Sequence, residues 1–143
     1  MIRISKLADY AVVILVEMAK YDDKLVSASA LAVNVCLPEP TVSKILKLLV
    51  RGGAVSSVRG SNGGYKLSRL SFDITIEDII TAVDGPIGIT SCADGIAPDC
   101  SLGESCSVRG RWDDVNTAIR GALSDVSLAD MIAKKNRFKE EAA

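Results

Sequence analysis

The chain has 143 residues, of which 48% are hydrophobic and 24% charged, with a formal net charge of −1, the composition of one ordinary globular domain with at most a small appendage. The longest uninterrupted apolar run, Ala11 to Val16, is six residues, against the roughly 18 to 20 needed to cross a bilayer, so a helical membrane span is excluded. With no histidine in the chain, histidine general bases, histidine-containing triads and histidine metal ligands are excluded as well.

The opening residues Met1 to Leu7 are not followed by a long apolar stretch and a small-residue cleavage site, so no secretory signal is expected and the chain is placed in the cytoplasm. There, four cysteines point to metal, redox chemistry or plain burial rather than to structural disulfides. The charge is unevenly spread. From Pro38 to Arg69 the cations Lys44, Lys47, Arg51, Arg59, Lys66 and Arg69 face only Glu39, a net +5 that leaves −6 for the remainder. A basic segment on an acidic body suits a polyanion bound in one orientation, because the rest of the surface repels it.

The first periodic segment runs from Ser5 to Lys20, with Leu7, Ala11, Ile14, Leu15 and Met18 on one face and Ser5 as N-cap. A turn through Asp22, Asp23 and Lys24 leads to a short helix that begins near Ser27 or Ser29 and carries Leu31 and Val35. Cys36, expected as a buried turn residue, and Leu37 connect it to a third helix. That helix has Pro38 and Pro40 in its first turn, Val42, Ile45, Leu46 and Leu49 as its buried stripe, and Gly52-Gly53 as its stop. Two short helices joined this tightly predict a helix-turn-helix. The pattern then switches to two short strands, Ala54 to Val58 and Tyr65 to Ser68, around the glycine-rich loop Arg59-Gly60-Ser61-Asn62-Gly63-Gly64.

A helix-turn-helix followed by a basic hairpin is a winged helix, whose second helix enters the major groove of double-stranded DNA while the hairpin reaches phosphates or the adjacent minor groove. The candidate contacts are Thr41, Ser43, Lys44 and Lys47 on the exposed side of the third helix, and Arg59 with Gly60 in the wing. Short hydroxyls at the helix start can reach base edges, and the cations further along can reach phosphates. An amphipathic helix needs a polar face in any case, so the wing carries more of this reading than the helix does. Arg59 stands among glycines and serines where it has little to pack against.

Downstream, Thr75 and Asp78 predict a capping box for a helix to about Val83, with Ile76, Ile79, Ile80 and Val83 inward and Asp84-Gly85-Pro86 as its end. Between Ser91 and Ser107 lie Cys92, Cys100 and Cys106, among acidic residues, glycines and a proline. Cysteines serving as small core hydrophobes belong in periodic apolar segments, and these do not sit in one. Their Cys-x7-Cys-x5-Cys spacing lacks the knuckle of a zinc site and has no fourth nearby nitrogen or sulfur donor. Three such thiolates can hold an iron–sulfur cluster and leave one position to another ligand, or they can act as a metal-free thiol–disulfide sensor. A long helix after Cys106 follows, with Val108, Trp112, Val115, Ile119, Ala122 and Val126 on one stripe and its N-terminus near the cysteines. It is expected to pair with its twin in a homodimer that spans two operator half-sites, the alternative being a cover helix for its own subunit. Ser127 with Asp130 caps a last short helix before a charged tail.

The fold class is therefore mainly α with a small β-hairpin. A winged helix-turn-helix DNA-binding domain is expected over residues 1–84, a cysteine-rich cluster-binding loop over 85–107, a dimerisation helix with a short C-terminal helix over 108–133, and a charged tail over 134–143. Nothing marks a substrate cleft, so the chain reads as a non-enzyme with no small-molecule substrate and no membrane partner. An iron–sulfur carrier would leave the basic wing unexplained.

Four stretches carry a resemblance beyond this. They are Ile4-Ser5-Lys6-Leu7-Ala8-Asp9-Tyr10-Ala11-Val12, the wing from Val55-Ser56-Ser57-Val58-Arg59-Gly60 through Gly63-Gly64-Tyr65, Ile79-Ile80-Thr81-Ala82-Val83-Asp84, and the three-cysteine loop before a tryptophan-bearing helix. Over roughly residues 1–133 the chain resembles the Rrf2 family of IscR- and NsrR-like bacterial regulators, and within it the regulators of the SUF iron–sulfur assembly system. The resemblance implies a homodimeric repressor that holds a 2Fe–2S or 4Fe–4S cluster through Cys92, Cys100 and Cys106 and changes its DNA binding with cluster status. Some members supply a histidine three positions after the last cysteine, where this chain has Arg109. The fourth ligand implied instead is Asp9, which matches an aspartate that nitric-oxide-sensing relatives present to the cluster of the opposite subunit. Glu104, inside the loop, is the alternative.

Overall fold

The structure is a computed structural model that describes residues 1–93 and 100–133. The acidic stretch 94–99 and the charged tail expected over 134–143 lie outside the described residues. Ser5 opens α1 (Lys6–Met18), its Oγ accepting the Ala8 N–H at 3.0 Å, and the helix buries Ala8, Ala11, Ile14, Leu15 and Met18 on one face. Ser27 caps α2 (Ala28–Val35) in the same way, with the Ala30 N–H donating to its Oγ at 3.1 Å. Satisfying otherwise orphaned amides at a helix start is worth about 1 kcal/mol per cap.

The helix α2 ends at Cys36, whose φ of 56° puts it in the left-handed region. The expectation of a buried turn cysteine is corrected here: Cys36 is exposed, and its neighbour Leu37 packs against the core instead. The left-handed turn reverses the chain at Cys36, and the apolar side chain that follows is the one directed inward. Next comes α3 (Glu39–Arg51), with proline in its first turn and Val42, Ile45, Leu46 and Leu49 wholly buried. Burying each such side chain contributes about 1.5–3 kcal/mol, so this stripe fixes α3 against α1 and α2.

Strands β1 (Val55–Val58) and β2 (Gly64–Leu67) form an antiparallel hairpin in which Val55 pairs with Leu67 and Val58 with Gly64. One connection was not expected. Val26, just before α2, exchanges both backbone hydrogen bonds with Tyr65, at 2.9 and 2.8 Å, and so ties the wing to the helix-turn-helix. Gly64 is part of that closeness, since a Cβ there would stand 2.8 Å from the Val26 carbonyl oxygen.

Both halves of the predicted capping box are present at α4 (Ile76–Asp84), with Thr75 and Asp78 exchanging backbone and side-chain bonds at 3.1 Å. The following α5 (Trp112–Ser124) packs on α4, and the Arg120 Nε donates to Glu77 Oε1 at 2.7 Å between them. Residues 128–133 are helical again, capped by Ser127 and Asp130. Leu128 is wholly buried in the same core as α1 to α4, its N–H donating to the Ile74 carbonyl at 2.8 Å.

The expected long helix starts later than its periodicity predicts. Residues 107–111 form turns, with Gly110 at φ 75°, a left-handed conformation that stops helical winding before Trp112. The helix start is therefore not beside Cys106. Asp113 and Asp114 already supply negative charge to its first turn. Its inward face is also shifted: Asn116 is buried and Ile119 and Leu123 are partly buried, while Trp112 and Val115 are 42% and 43% exposed. No helix among the described residues is long and apolar enough to cross a membrane.

Candidate functional site

The basic segment spans α3, the hairpin and the residues just after it. Of its cations, Arg69 donates to the Asp73 carbonyl at 3.0 Å and lies 3.4 Å from Asp78, and Lys66 lies 3.8 Å from Asp23. Among the described residues no carboxylate pairs with Lys44, Lys47, Arg51 or Arg59. Unpaired exposed cations are those free to replace the counterions of a polyanion.

The fold draws Lys47 and Arg59 together. An open cleft of about 430 Å³ runs between α3 and the wing, lined by Lys47 and Val50 on one side and Ser57, Val58, Arg59, Gly60, Gly64 and Tyr65 on the other. Gly60, at φ 113°, makes the turn that sends the chain past Arg59, and the Gly63 N–H closes it onto the Gly60 carbonyl at 3.0 Å. Thr41 and Ser43 lie half-buried near the start of α3 and Lys44 is exposed, so they share the helix with Lys47 without lining this cleft. A helix with polar groups leading and cations trailing, beside a cationic hairpin, has the geometry of groove and backbone contact.

Cys92, Cys100 and Cys106 are all free thiols, the first two exposed and Cys106 half-buried. Among the described residues no three His, Cys, Asp or Glu side chains stand close enough together to hold a metal ion. The donor set nonetheless fits an iron–sulfur cluster chemically, since it offers thiols with no disulfide partner. Asp9 is exposed in the first turn of α1, and Glu104 lies in a short turn before Cys106. Asp9 borders an apolar groove of about 390 Å³ formed with Ile4, Val12, Ile80, Leu123 and Met131. Trp112, Val115 and Val108 are exposed apolar residues outside that groove's lining.

The residue that sequence reasoning missed is Asn116. It is 3% exposed, and its side-chain amide grips the segment leading into the cysteines. Its Oδ1 accepts the Ile89 N–H at 3.2 Å, and its Nδ2 donates to the carbonyls of Ile87 at 3.0 Å and Ala93 at 3.4 Å. The signal was present as a second periodicity, Asn116, Ile119 and Leu123, running beside the more apolar stripe through Trp112 and Val115.

Helix-turn-helix, wing and unpaired cation cleft together define a winged-helix DNA-binding regulator. The family model described as "Rrf2: Iron-dependent Transcriptional regulator" matches residues 4–134, and the chain belongs to the Rrf2 family of transcriptional regulators, which are not enzymes. Among curated relatives it is 33% identical over 122 residues to protein aau3 of Rhizobium meliloti, covering 85% of this chain and 75% of that one. It is 34% identical over 95 residues to the HTH-type transcriptional regulator IscR of Photobacterium profundum, covering 66% of this chain but 54% of the relative, so the match spans about half the length of that protein. Among solved structures, CymR, described as the global cysteine regulator of B. subtilis, superimposes with a TM-score of 0.70 at 27% identity, over 94% of this chain and 98% of that one. IscR of T. potens gives 0.64 at 28% identity, over 94% and 88%.

Proposed function

We propose that this Rrf2-family regulator is a cytoplasmic, homodimeric repressor of iron–sulfur cluster assembly or related stress genes, which binds operator DNA and reads the state of an iron–sulfur cluster. The observation that carries the reading is the pairing, in one small chain, of the Lys47–Arg59 cleft with three free cysteines on one segment tied to α5. The similarity to IscR supports it.

In this reading α3 lies in the major groove, with Thr41 and Ser43 toward base edges and Lys44 and Lys47 toward phosphates. Arg59, turned by Gly60, contacts the backbone or the neighbouring minor groove. The side chains of Cys92, Cys100 and Cys106 hold the cluster, and Asp9 of the second subunit completes its ligands. When bound, the cluster supplies a 2Fe–2S or 4Fe–4S centre that is altered or lost on reaction with oxidants or nitric oxide. The apolar faces of α5 around Trp112 and Val115 pair the two subunits, so that a change at the cysteines alters the spacing of the two wings.

A second reading is a metal-free thiol sensor. It is supported by the solvent access of the cysteines, the ungathered ligands and the likeness to CymR. Absorption spectra with iron and sulfide counts on anaerobically purified protein separate the two. A coloured protein with stoichiometric iron and sulfide supports the cluster; a colourless one, whose operator binding changes on thiol oxidation, supports the thiol sensor.

A further inference from the structure

We propose that Asn116 is the positioning residue for Cys92 and passes displacement of that cysteine to α5. The amide makes three bonds to a stretch of seven residues, and they differ in length. The two bonds to Ile87 and Ile89, at 3.0 and 3.2 Å, anchor the base of the arm, while the 3.4 Å bond to the Ala93 carbonyl holds its tip. Ala93 is 8% exposed and its N–H closes a turn onto the Thr90 carbonyl at 3.1 Å. Cys92 sits inside that turn, its Sγ 3.4 Å from Thr90 Oγ1. A fully partnered polar side chain in a dry site specifies one arrangement of the backbone it grips, because each broken bond leaves a buried donor or acceptor.

Moving Cys92, whether to ligate or on oxidation, therefore pulls first on the longest of the three bonds. The pull is delivered to the middle of α5. One turn further along that helix is Arg120, whose guanidinium holds Glu77 of α4, and α4 packs on the C-terminal end of α3. Rigid helices joined by side-chain bonds of this kind can bias one another between discrete arrangements. The cluster arm of this inference rests on the proposed role of Cys92 as a ligand; the placement of the thiol by Asn116 does not.

The test compares the full-length parent with Asn116→Asp and Asn116→Ser. Asn116→Asp is nearly isosteric and still accepts from Ile89 but loses both donors, and Asn116→Ser leaves room for water; circular dichroism reports that they are folded. In reduced, cluster-free protein, mass spectrometry follows iodoacetamide labelling of Cys92, with Cys36 as internal reference. In both variants the Cys92-to-Cys36 rate ratio is expected to rise at least threefold. In Asn116→Asp, hydrogen exchange at the Ile89 amide should stay near parental, which separates loss of the two donor bonds, to Ile87 and Ala93, from general loosening. After anaerobic reconstitution, the visible circular dichroism of the cluster should change shape and its half-life in air should fall at least threefold. Folded variants with the parental labelling ratio, cluster spectrum and lifetime would overturn the proposal. A parent that takes up no iron sinks the cluster reading instead, and the labelling ratio still decides the role of Asn116.

Discussion

Gly52 and Ala82 meet so closely that a Cβ on Gly52 would lie 2.3 Å from the Ala82 Cβ, a tight contact between the end of α3 and α4. The φ of Gly52 is −78°, an ordinary helical value, so it is space and not backbone conformation that requires glycine there. Its neighbour Gly53 is the reverse, with φ 80° and nothing within 4 Å of an added Cβ. Gly52→Ala is expected to destabilise by about 1–3 kcal/mol through overpacking, and Gly53→Ala by about 1–2 kcal/mol through the left-handed conformation alone. Combining Ala82→Gly with Gly52→Ala should recover part of the first loss and none of the second. Urea titrations of the single and double variants measure this coupling.

At the wing, Arg59→Ala should weaken binding to every duplex and reduce the slope of log affinity against log salt by about one, as loss of one phosphate contact does. Ser43→Ala should leave the slope alone and change preference at one or two base pairs by roughly 1–3 kcal/mol each. Competition binding over a salt series distinguishes them. Unchanged affinity of Arg59→Ala at all salt concentrations would take the wing off the DNA.

Trp112 is 42% exposed at the head of α5, beside exposed Val115. In a dimer built on this face, Trp112→Asp buries an unpaired charge and should give monomers with little operator affinity. Because the side chain is only partly covered within its own subunit, the monomer should keep its fold. Sedimentation velocity that finds an unchanged dimer would assign the pairing to another surface.

For the ligand set, Cys106→Ala should abolish the cluster, whereas Asp9→Ala should leave it assembled with an altered spectrum and faster loss in oxygen. Glu104→Ala should match the parent if Asp9 is the fourth ligand. The three variants are compared by absorption and iron content after anaerobic reconstitution. An Asp9→Ala protein with parental spectrum, lifetime and operator affinity would pass the role to Glu104 or to solvent.

Leu128 is wholly buried although it stands in the short helix that ends the described chain. Leu128→Ala should cost about 2–5 kcal/mol, as a core truncation does. A denaturant midpoint within error of the parent would show that this helix is an appendage.

The chain's local signals determined a large part of this molecule. Ser5 and the Thr75–Asp78 box cap helices where their spacing predicts, and of the two serines that could start α2 it is Ser27 that caps it, because a cap acts within one turn and needs no distant partner. The stripe of Val42, Ile45, Leu46 and Leu49 and the glycine-rich turn of the wing were legible for the same reason. The tertiary structure decided what depends on a remote neighbour. Cys36 faces solvent because the left-handed end of α2 sends Leu37 inward in its place. The start of α5 is set by the conformation of Gly110, and its inward face by Asn116, whose three partners lie 23 to 29 residues away. The cleft that Lys47 and Arg59 share is likewise a product of tertiary contact, with β1 packed on α3 and Tyr65 paired with Val26. Periodicity registers which residues are apolar, but a buried amide is favourable only where the fold brings backbone donors and acceptors to it, and a sequence read locally does not contain that meeting.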